Sequence, residues 1–238
     1  KILKLIFNKI GFFFLSKKLD ILLVIADLNY IGGTEKHLSI LINGISKTKN
    51  VKLLILRNLS YKLCDQLDID KSKIIPPPKI NKLIYSDNVY IGYLKTIIGS
   101  VKLFFYVCLT KIKIIHFHLP QAIFSGITFC FFFRAKLFAS RRSLNNYLKG
   151  YNPLFKKIEK FLFDRCNLLI GNSYSVIDQL KNDTNNKNIN LIYNGSRPYN
   201  LDSKNMIRAK VRKKLLIKEN EVVLIKVANL INYKGHIF

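Results

Sequence analysis

The feature that most constrains the fold of this 238-residue chain is the regular alternation of apolar runs with helical patterns. The apolar runs that predict strands are 19–28, 51–56, 113–118, 136–140, 167–171, 190–193 and one that begins at Val222. Apolar residues at helical spacing occupy 34–45, 61–67, 89–109, 120–133, 154–163, 174–180 and 203–216. Strands that alternate with helices favour an α/β fold with a doubly wound parallel sheet, covered on both faces.

Polar or glycine-containing motifs lie at the end of several of these strands or shortly after it. They are Gly32-Gly33, His116 with His118, Arg141-Arg142, Asn172-Ser173 and Asn194-Gly195. Because the carboxyl ends of parallel strands share the edge of the sheet where ligands bind, we expect these groups to line one cleft. Ser173 is also placed to cap the helix that follows it.

The motif Gly32-Gly33-Thr34-Glu35 joins a predicted strand to a predicted helix, whose N-cap we assign to Thr34. Glycines allow backbone N–H groups to approach a ligand, and a helix N-terminus favours an anion such as phosphate. The motif is neither a complete dinucleotide fingerprint nor a P-loop. Two interpretations stay open: a phosphate contact, or a structural turn in which Glu35 complements the helix dipole.

His116 and His118 alternate on one predicted strand, so both side chains face the same side of the sheet. No third metal ligand is evident, and we predict no metal site. His118, nearest the end of the strand, is the candidate for hydrogen bonding to a substrate hydroxyl, whereas His116 is expected to be a packed core residue. Arg141 and Arg142 either clamp a phosphate or carboxylate, or belong to a solvated loop.

The charge of the chain predicts an anionic partner. Its 40 Lys and Arg outnumber 14 Asp and Glu, which gives a formal net charge of +26. Such a field attracts nucleic acid, anionic lipid or phosphorylated small molecules, although a biased genome composition is an alternative source of the charge. No nucleic-acid-binding motif is present, and the aromatic residues lie in apolar runs. We therefore expect no nucleic acid, and basic, Phe-rich helices that dock on an anionic membrane surface.

Neither a signal peptide nor a transmembrane helix is predicted. Residues 1–17 form a basic and apolar segment that lacks a cleavage site and is too short to span a bilayer. The run 89–109 is long enough, but Lys95 and Lys102 share one helical face, which predicts an amphipathic helix on the core or on a membrane. The cysteines at positions 64, 108, 130 and 166 form no CxxC pair, which favours a reducing compartment. We expect a cytoplasmic protein, peripheral at the inner face of the cytoplasmic membrane.

Taken in order, the motifs resemble the amino-terminal half of a GT-B glycosyltransferase of retaining family 4, followed by the start of its second half. The matching segments are 28–38, 115–120, 140–144, 169–173, 192–195 and 227–236. The resemblance implies a Rossmann-like domain and sugar transfer with retention and without a metal. The nucleotide-sugar donor is then a co-substrate, and no cofactor is expected. With the basic helices, this leads us to expect a cell-envelope or lipid-linked glycan acceptor.

The resemblance also assigns roles by position. Gly32 and Gly33 would lie near the donor sugar and phosphates, His118 on the transferred sugar, and Lys234 on the donor diphosphate. A preorganised cation at that position stabilises the leaving nucleoside diphosphate. The remaining candidates, for the cleft or the acceptor side, are Glu35, Arg141, Arg142, Ser173 and Asn194.

The predicted organisation is an amino-terminal segment over 1–17, an acceptor-side domain over 18–200, a crossover helix over 201–220 and the first strand of a donor-binding domain over 221–238. This interpretation treats the chain as truncated and inactive alone, because the family's paired glutamates would lie past its end. Asn229 stands where many members of the family have an arginine. Two other functions stay open: a basic nucleic-acid-binding protein, and a non-transferase GT-B enzyme such as a sugar-nucleotide epimerase.

Overall fold

The computed structural model describes residues 18–79, 89–129, 134–144, 153–195 and 204–227. In these ranges, parallel strands form one seven-stranded sheet. The strands are β1 (Leu19–Leu28), β2 (Val51–Leu59), β3 (Ile74–Ile75), β4 (Ile112–His118), β5 (Lys136–Arg141), β6 (Leu168–Gly171) and β7 (Ile189–Leu191). The helices are α1 (Gly33–Ile45), α2 (Tyr61–Gln66), α3 (Val89–Leu109), α4 (Pro120–Ser125), α5 (Pro153–Arg165), α6 (Tyr174–Asp183) and α7 (Lys204–Lys214).

The strand order is β3-β2-β1-β4-β5-β6-β7, so the chain starts at β1 in the middle of the sheet and builds outwards in both directions. β1 pairs with both β2 and β4, with Leu23 opposite Leu53 on one side and His116 on the other. The doubly wound parallel sheet that the sequence predicts is confirmed. The order reverses between β1 and β4, and ligands bind at such a switch point in open α/β sheets.

Both faces of the sheet are covered by helices. One apolar core lies under α1 and α2 and contains Leu23, Ile25, Leu38 and Ile42. The other lies under α3, α4, α5 and α6, and β4 contributes Ile115 and Phe117 to it. Because side chains alternate along a strand, His116 and His118 point from β4 to the α1 face.

Several elements differ from the sequence prediction. The helix predicted over 120–133 is α4, which ends at Ser125 and continues as a short 3-10 turn over Gly126–Phe129, while 130–133 lie outside the described residues. A Cβ on Gly126 would lie 3.1 Å from the ring of Phe117, so this turn lies very close to the sheet. β3 has only two residues and was not predicted, because so short a run carries no periodicity.

The chain divides into two compact units, 1–196 and 197–238. In the second, Arg212 of α7 holds the loop that follows this helix. It donates hydrogen bonds to the carbonyls of Lys218 and, at 2.9 Å, Glu221. The strand predicted from Val222 is absent over 221–227, where Leu224 is 94% exposed. A strand requires a pairing partner, and within 204–227 the structure has no other strand for this segment to pair with. The rest of the predicted strand, 228–238, lies outside the described residues.

Candidate active site

The candidate site lies at the carboxyl ends of β1 and β4, where the chain leaves the sheet towards opposite faces. After β4, Leu119 turns the chain into α4 with a positive φ of 69°. This left-handed conformation is rare for a bulky residue, and such strained positions concentrate at functional sites. The strain directly follows His118, the residue that the sequence singles out.

His116 and His118 lie against each other on the α1 face, with ring centroids 4.1 Å apart, as their alternation predicts. His116 Nε2 lies 2.7 Å from Ser140 Oγ on β5. His118 is fully buried, and neither of its ring nitrogens has a hydrogen-bond partner among the described residues. His116 is buried, as expected of a core residue, and the neighbouring elements enclose His118 as well. A buried polar group without a partner is costly, and it calls for an explanation.

His37 on α1 completes a group of three histidines, and the sequence analysis did not single it out. Its Nδ1 is buried and also lacks a hydrogen-bond partner in the described part of the chain. Burial lowers the pKa of His37 to about 4 and that of His116 to about 3, and it holds the pKa of His118 well below the ordinary 6.5. The three rings are therefore neutral at pH 7 and can both donate and accept hydrogen bonds.

Arg142 is the cation of this group. Its positive charge contributes to the lowered pKa of all three histidines. Burial lowers the pKa of Arg142 to about 10, so it stays charged at neutral pH. Its Nη1 donates a 2.5 Å hydrogen bond to Asn194 Oδ1, and its carbonyl accepts one from Asn172. The structure thus brings together Arg142 and Asn194, two of the predicted cleft residues.

The glycine loop differs from its prediction in one respect: Gly32, not Thr34, is the N-cap of α1. Glu35 occupies the third helical position, and its Oε2 accepts a 3.0 Å hydrogen bond from Gly32 N–H. A Cβ on Gly32 would lie 2.6 Å from that oxygen, so glycine makes the return contact possible, whereas Gly33 faces open space. Burial raises the pKa of Glu35, and the nearby Asp27 adds to the shift. Glu35 therefore organises the start of α1 from inside the loop.

Other predicted site residues have structural partners. Arg141 lies on the opposite face of the sheet, where its guanidinium pairs with Glu159 at 2.9 Å and Asp183 at 2.5 Å. Ser173 Oγ accepts a hydrogen bond from Val176 N–H, so its predicted role as the N-cap of α6 is confirmed. Lys234 lies outside the described residues.

A second polar cluster at the same edge of the sheet was also not identified from the sequence. Arg57, near the end of β2, forms an ion pair with Asp27 of β1. Asn58 donates a 2.8 Å hydrogen bond to Asp27 and accepts one of 3.1 Å from Lys95 on α3. The position of Arg57 and Asn58 at the carboxyl end of β2 could have identified them as site candidates. The strand predicted from the sequence ended at residue 56, so this position was not recognised.

Together, these side chains form a site that contains one half-buried guanidinium cation and three neutral imidazoles, of which His116 and His118 are buried. Neutral imidazoles suit the hydroxyl groups of a sugar, and an arginine suits a phosphate or carboxylate. Within the described ranges, no group of three His, Cys, Asp or Glu side chains has the arrangement of a metal site.

Comparisons with known proteins agree on the architecture. No family model and no curated protein matches the sequence. Among solved structures, HepE of Anabaena in complex with UDP superposes with a TM-score of 0.58 at 16% identity, over 83% of this chain and 50% of that one. Sucrose-phosphate synthase from Thermosynechococcus elongatus gives a TM-score of 0.59 at 11% identity, over 86% and 54% of the two chains.

The fold is that of one half of a GT-B protein. The chain spans about half the length of each of these solved structures. A UDP-N-acetylglucosamine 2-epimerase has the same architecture, with a TM-score of 0.52 at 12% identity over 80% of this chain and 55% of that one. At these identities the likeness establishes the fold, and the activity has to be argued from the site.

Proposed function

We propose that this chain is the acceptor-side half of a glycosyltransferase, which moves a sugar from a nucleotide-sugar donor to a cell-envelope or lipid-linked glycan with retention. The observation that carries the proposal is His118, a fully buried imidazole whose two nitrogens lack partners among the described residues, with the half-buried cation Arg142 in the same group. A sugar hydroxyl would satisfy the imidazole, and a donor phosphate would pair with the guanidinium.

The fold supports this assignment because the group lies at the switch point of the sheet, where ligands of such folds bind. Structures with this architecture have been solved with UDP and with UDP-glucose. In the proposed reaction, the leaving nucleoside diphosphate gains negative charge. We propose that Arg142 and Lys234 offset this charge. We propose that no metal takes part, and that the protein works at the inner face of the cytoplasmic membrane.

The proposal is tested in the protein that joins this chain to a second GT-B half. That protein is incubated with a panel of UDP-sugars and a lipid-linked glycan extract, and the products are identified by NMR. We expect acceptor-dependent release of UDP and a new glycosidic bond with the anomeric configuration of the donor. Hydrolysis or no turnover across the panel contradicts the proposal.

A second candidate, a sugar-nucleotide epimerase, is favoured by the superposition on the UDP-N-acetylglucosamine 2-epimerase. The same NMR experiment separates the two functions. An epimerase converts the donor sugar without any acceptor, whereas a transferase forms no product until the acceptor is added.

A further inference from the structure

Helix α3 has the reverse orientation of an ordinary amphipathic helix, whose apolar face packs on the core and whose charged face is exposed. Its lysines point inwards: Lys95 is buried and bonded to Asn58, and Lys102 donates a 2.6 Å hydrogen bond to the carbonyl of Pro76. Burial lowers the pKa of Lys102, in keeping with its inward position. The apolar and aromatic residues of the other face point outwards, and these form the α3 surface: Tyr90, Tyr93, Leu94, Ile97 and Val101.

The helix is nevertheless firmly packed on the sheet. Leu103 and Val107 are buried in the core, and Gly99 lies so close to β2 that a Cβ there would lie 2.4 Å from the carbonyl oxygen of Leu56. By length and composition, Tyr90–Leu109 could cross a bilayer. Only 22% of its most apolar 18-residue window is buried inside the protein, and this buried part is the face that packs on the sheet. Because its inner face is engaged with the sheet, α3 can offer a membrane only its outer face.

An apolar groove extends this surface. It encloses about 560 Å³ between α3, α4 and α5, and its walls include Tyr93, Ile97, Phe104, Phe124 and Phe155. Exposed apolar surface of this extent, continuous with a groove, marks an interaction site in soluble proteins.

The charge of the chain decides the occupant. With a net charge of +26, a second copy of this chain would be repelled, whereas an anionic surface would be attracted. The exposed Lys156 and Lys157 lie in the sequence of α5 between the groove residues Phe155 and Ile158. Tyrosine rings, such as those of Tyr90 and Tyr93, favour the boundary between lipid and water.

We propose that the α3 surface and its groove are the docking site for a bilayer that contains anionic lipid, with α3 lying in the plane of the interface. This rests on the proposed function only for the location of the acceptor. Apolar side chains enter the boundary between headgroups and acyl chains, and the lysines of α5 bind lipid phosphates.

The chain contains no Trp, so a single introduced tryptophan reports the environment of one position. Ile97→Trp places it on the α3 surface, and Ile207→Trp on α7 is the control, because Ile207 is also exposed on a helix. The vesicles are phosphatidylglycerol mixed with phosphatidylcholine, or phosphatidylcholine alone. We expect the fluorescence of the Ile97→Trp variant to shift to the blue and to be quenched by brominated acyl chains only with the anionic vesicles, and less at high salt.

Binding strength is tested with two matched pairs. Ile97→Ser with Val101→Ser should weaken vesicle affinity by about tenfold or more, because two inserted aliphatic side chains are lost. Ile207→Ser with Val211→Ser has the same residue types at the same spacing and should change it less than about twofold. Circular dichroism verifies that each variant is folded. If the Ile97→Trp variant of the fluorescence experiment does not fold, Tyr90→Trp replaces it.

Equal quenching of the Ile97→Trp and Ile207→Trp variants, or equal binding to neutral vesicles, would overturn the proposal. Self-association that buries the tryptophan of the Ile97→Trp variant without lipid would overturn it as well. No sugar enters these assays. Vesicle binding with no sugar transfer therefore rejects the proposed function alone, and transfer without vesicle binding rejects the docking site alone.

Discussion

Acid should destabilise this protein strongly, because three histidines are held neutral in the folded state. The folded-state pKa is about 3 for His116, about 4 for His37, and well below 6.5 for His118. An unfolded histidine takes up a proton as the pH falls through about 6.5, whereas these folded ones do not, so stability is retained above that pH and lost below it. Glu35 acts in the opposite direction, since burial raises its pKa.

The magnitude follows from the width of the window. Between pH 7 and about pH 5, a buried histidine with a folded-state pKa of about 3, as in His116, lowers the free energy of unfolding by about 2 kcal/mol. His118 and the less deeply buried His37 add losses of the same sign, and Glu35 offsets a part. Since domains of this size have stabilities of about 5–15 kcal/mol, the loss at pH 5 is a large fraction.

The assay is urea denaturation of this chain, followed by circular dichroism at pH 7, 6 and 5. A double variant, His116→Asn with His118→Asn, removes two titrating groups and should retain at least about 2 kcal/mol that the wild type loses over the same range. His236→Asn controls for the replacement of a histidine elsewhere in the chain. Equal stability of the wild type at pH 7 and pH 5, or an unchanged pH dependence in the double variant, refutes the reasoning.

Three further outcomes are expected. Gly99→Ala should destabilise the chain by about 1–3 kcal/mol through its contact with β2, whereas Gly44→Ala, with open space around its Cβ position, should be neutral or stabilising; thermal midpoints compare them. Arg141→Met removes the cation that pairs with buried Glu159 and should cost about 3–5 kcal/mol in urea denaturation, and a cost near zero would contradict the importance of this ion pair. Backbone amides of 222–227 should exchange with solvent far faster than those of β1, and equal protection in hydrogen exchange would show that this segment is paired after all.

The sheet could be predicted from the sequence because most of its strands are apolar runs bounded by turn residues. β1 is an example: its ten residues are almost all buried or half-buried, so periodicity and composition agree. The rim of the site could be predicted in part, since topology alone brings the ends of parallel strands to one edge. This is why His118, Arg142 and Asn194 were identified.

Orientation around that edge could not be predicted. Arg141 and Arg142 are neighbours in the sequence, yet the alternation of the strand sends Arg141 to Glu159 and Arg142 to the histidines. His37 was missed because helical periodicity places it beside apolar residues and gives no indication of which side chains of the sheet face it. The inward direction of Lys95 likewise depends on Asn58, a partner 37 residues away in the sequence.

The central claim is that His118 contacts the transferred sugar, and the rate of sugar transfer by His118→Ala tests it most directly, in the protein that joins this chain to a second GT-B half. Because its nitrogens have no partners in the described part of the chain, the substitution breaks no protein hydrogen bond there. It leaves a cavity at a fully buried position, so the rate is measured at a temperature where circular dichroism shows the variant folded. His116→Ala is the matched control, since it breaks the contact with Ser140 and should mainly lower the thermal midpoint. We predict that His118→Ala lowers the transfer rate by about 10²-fold or more while the protein stays folded. Transfer at the wild-type rate by His118→Ala would contradict the account.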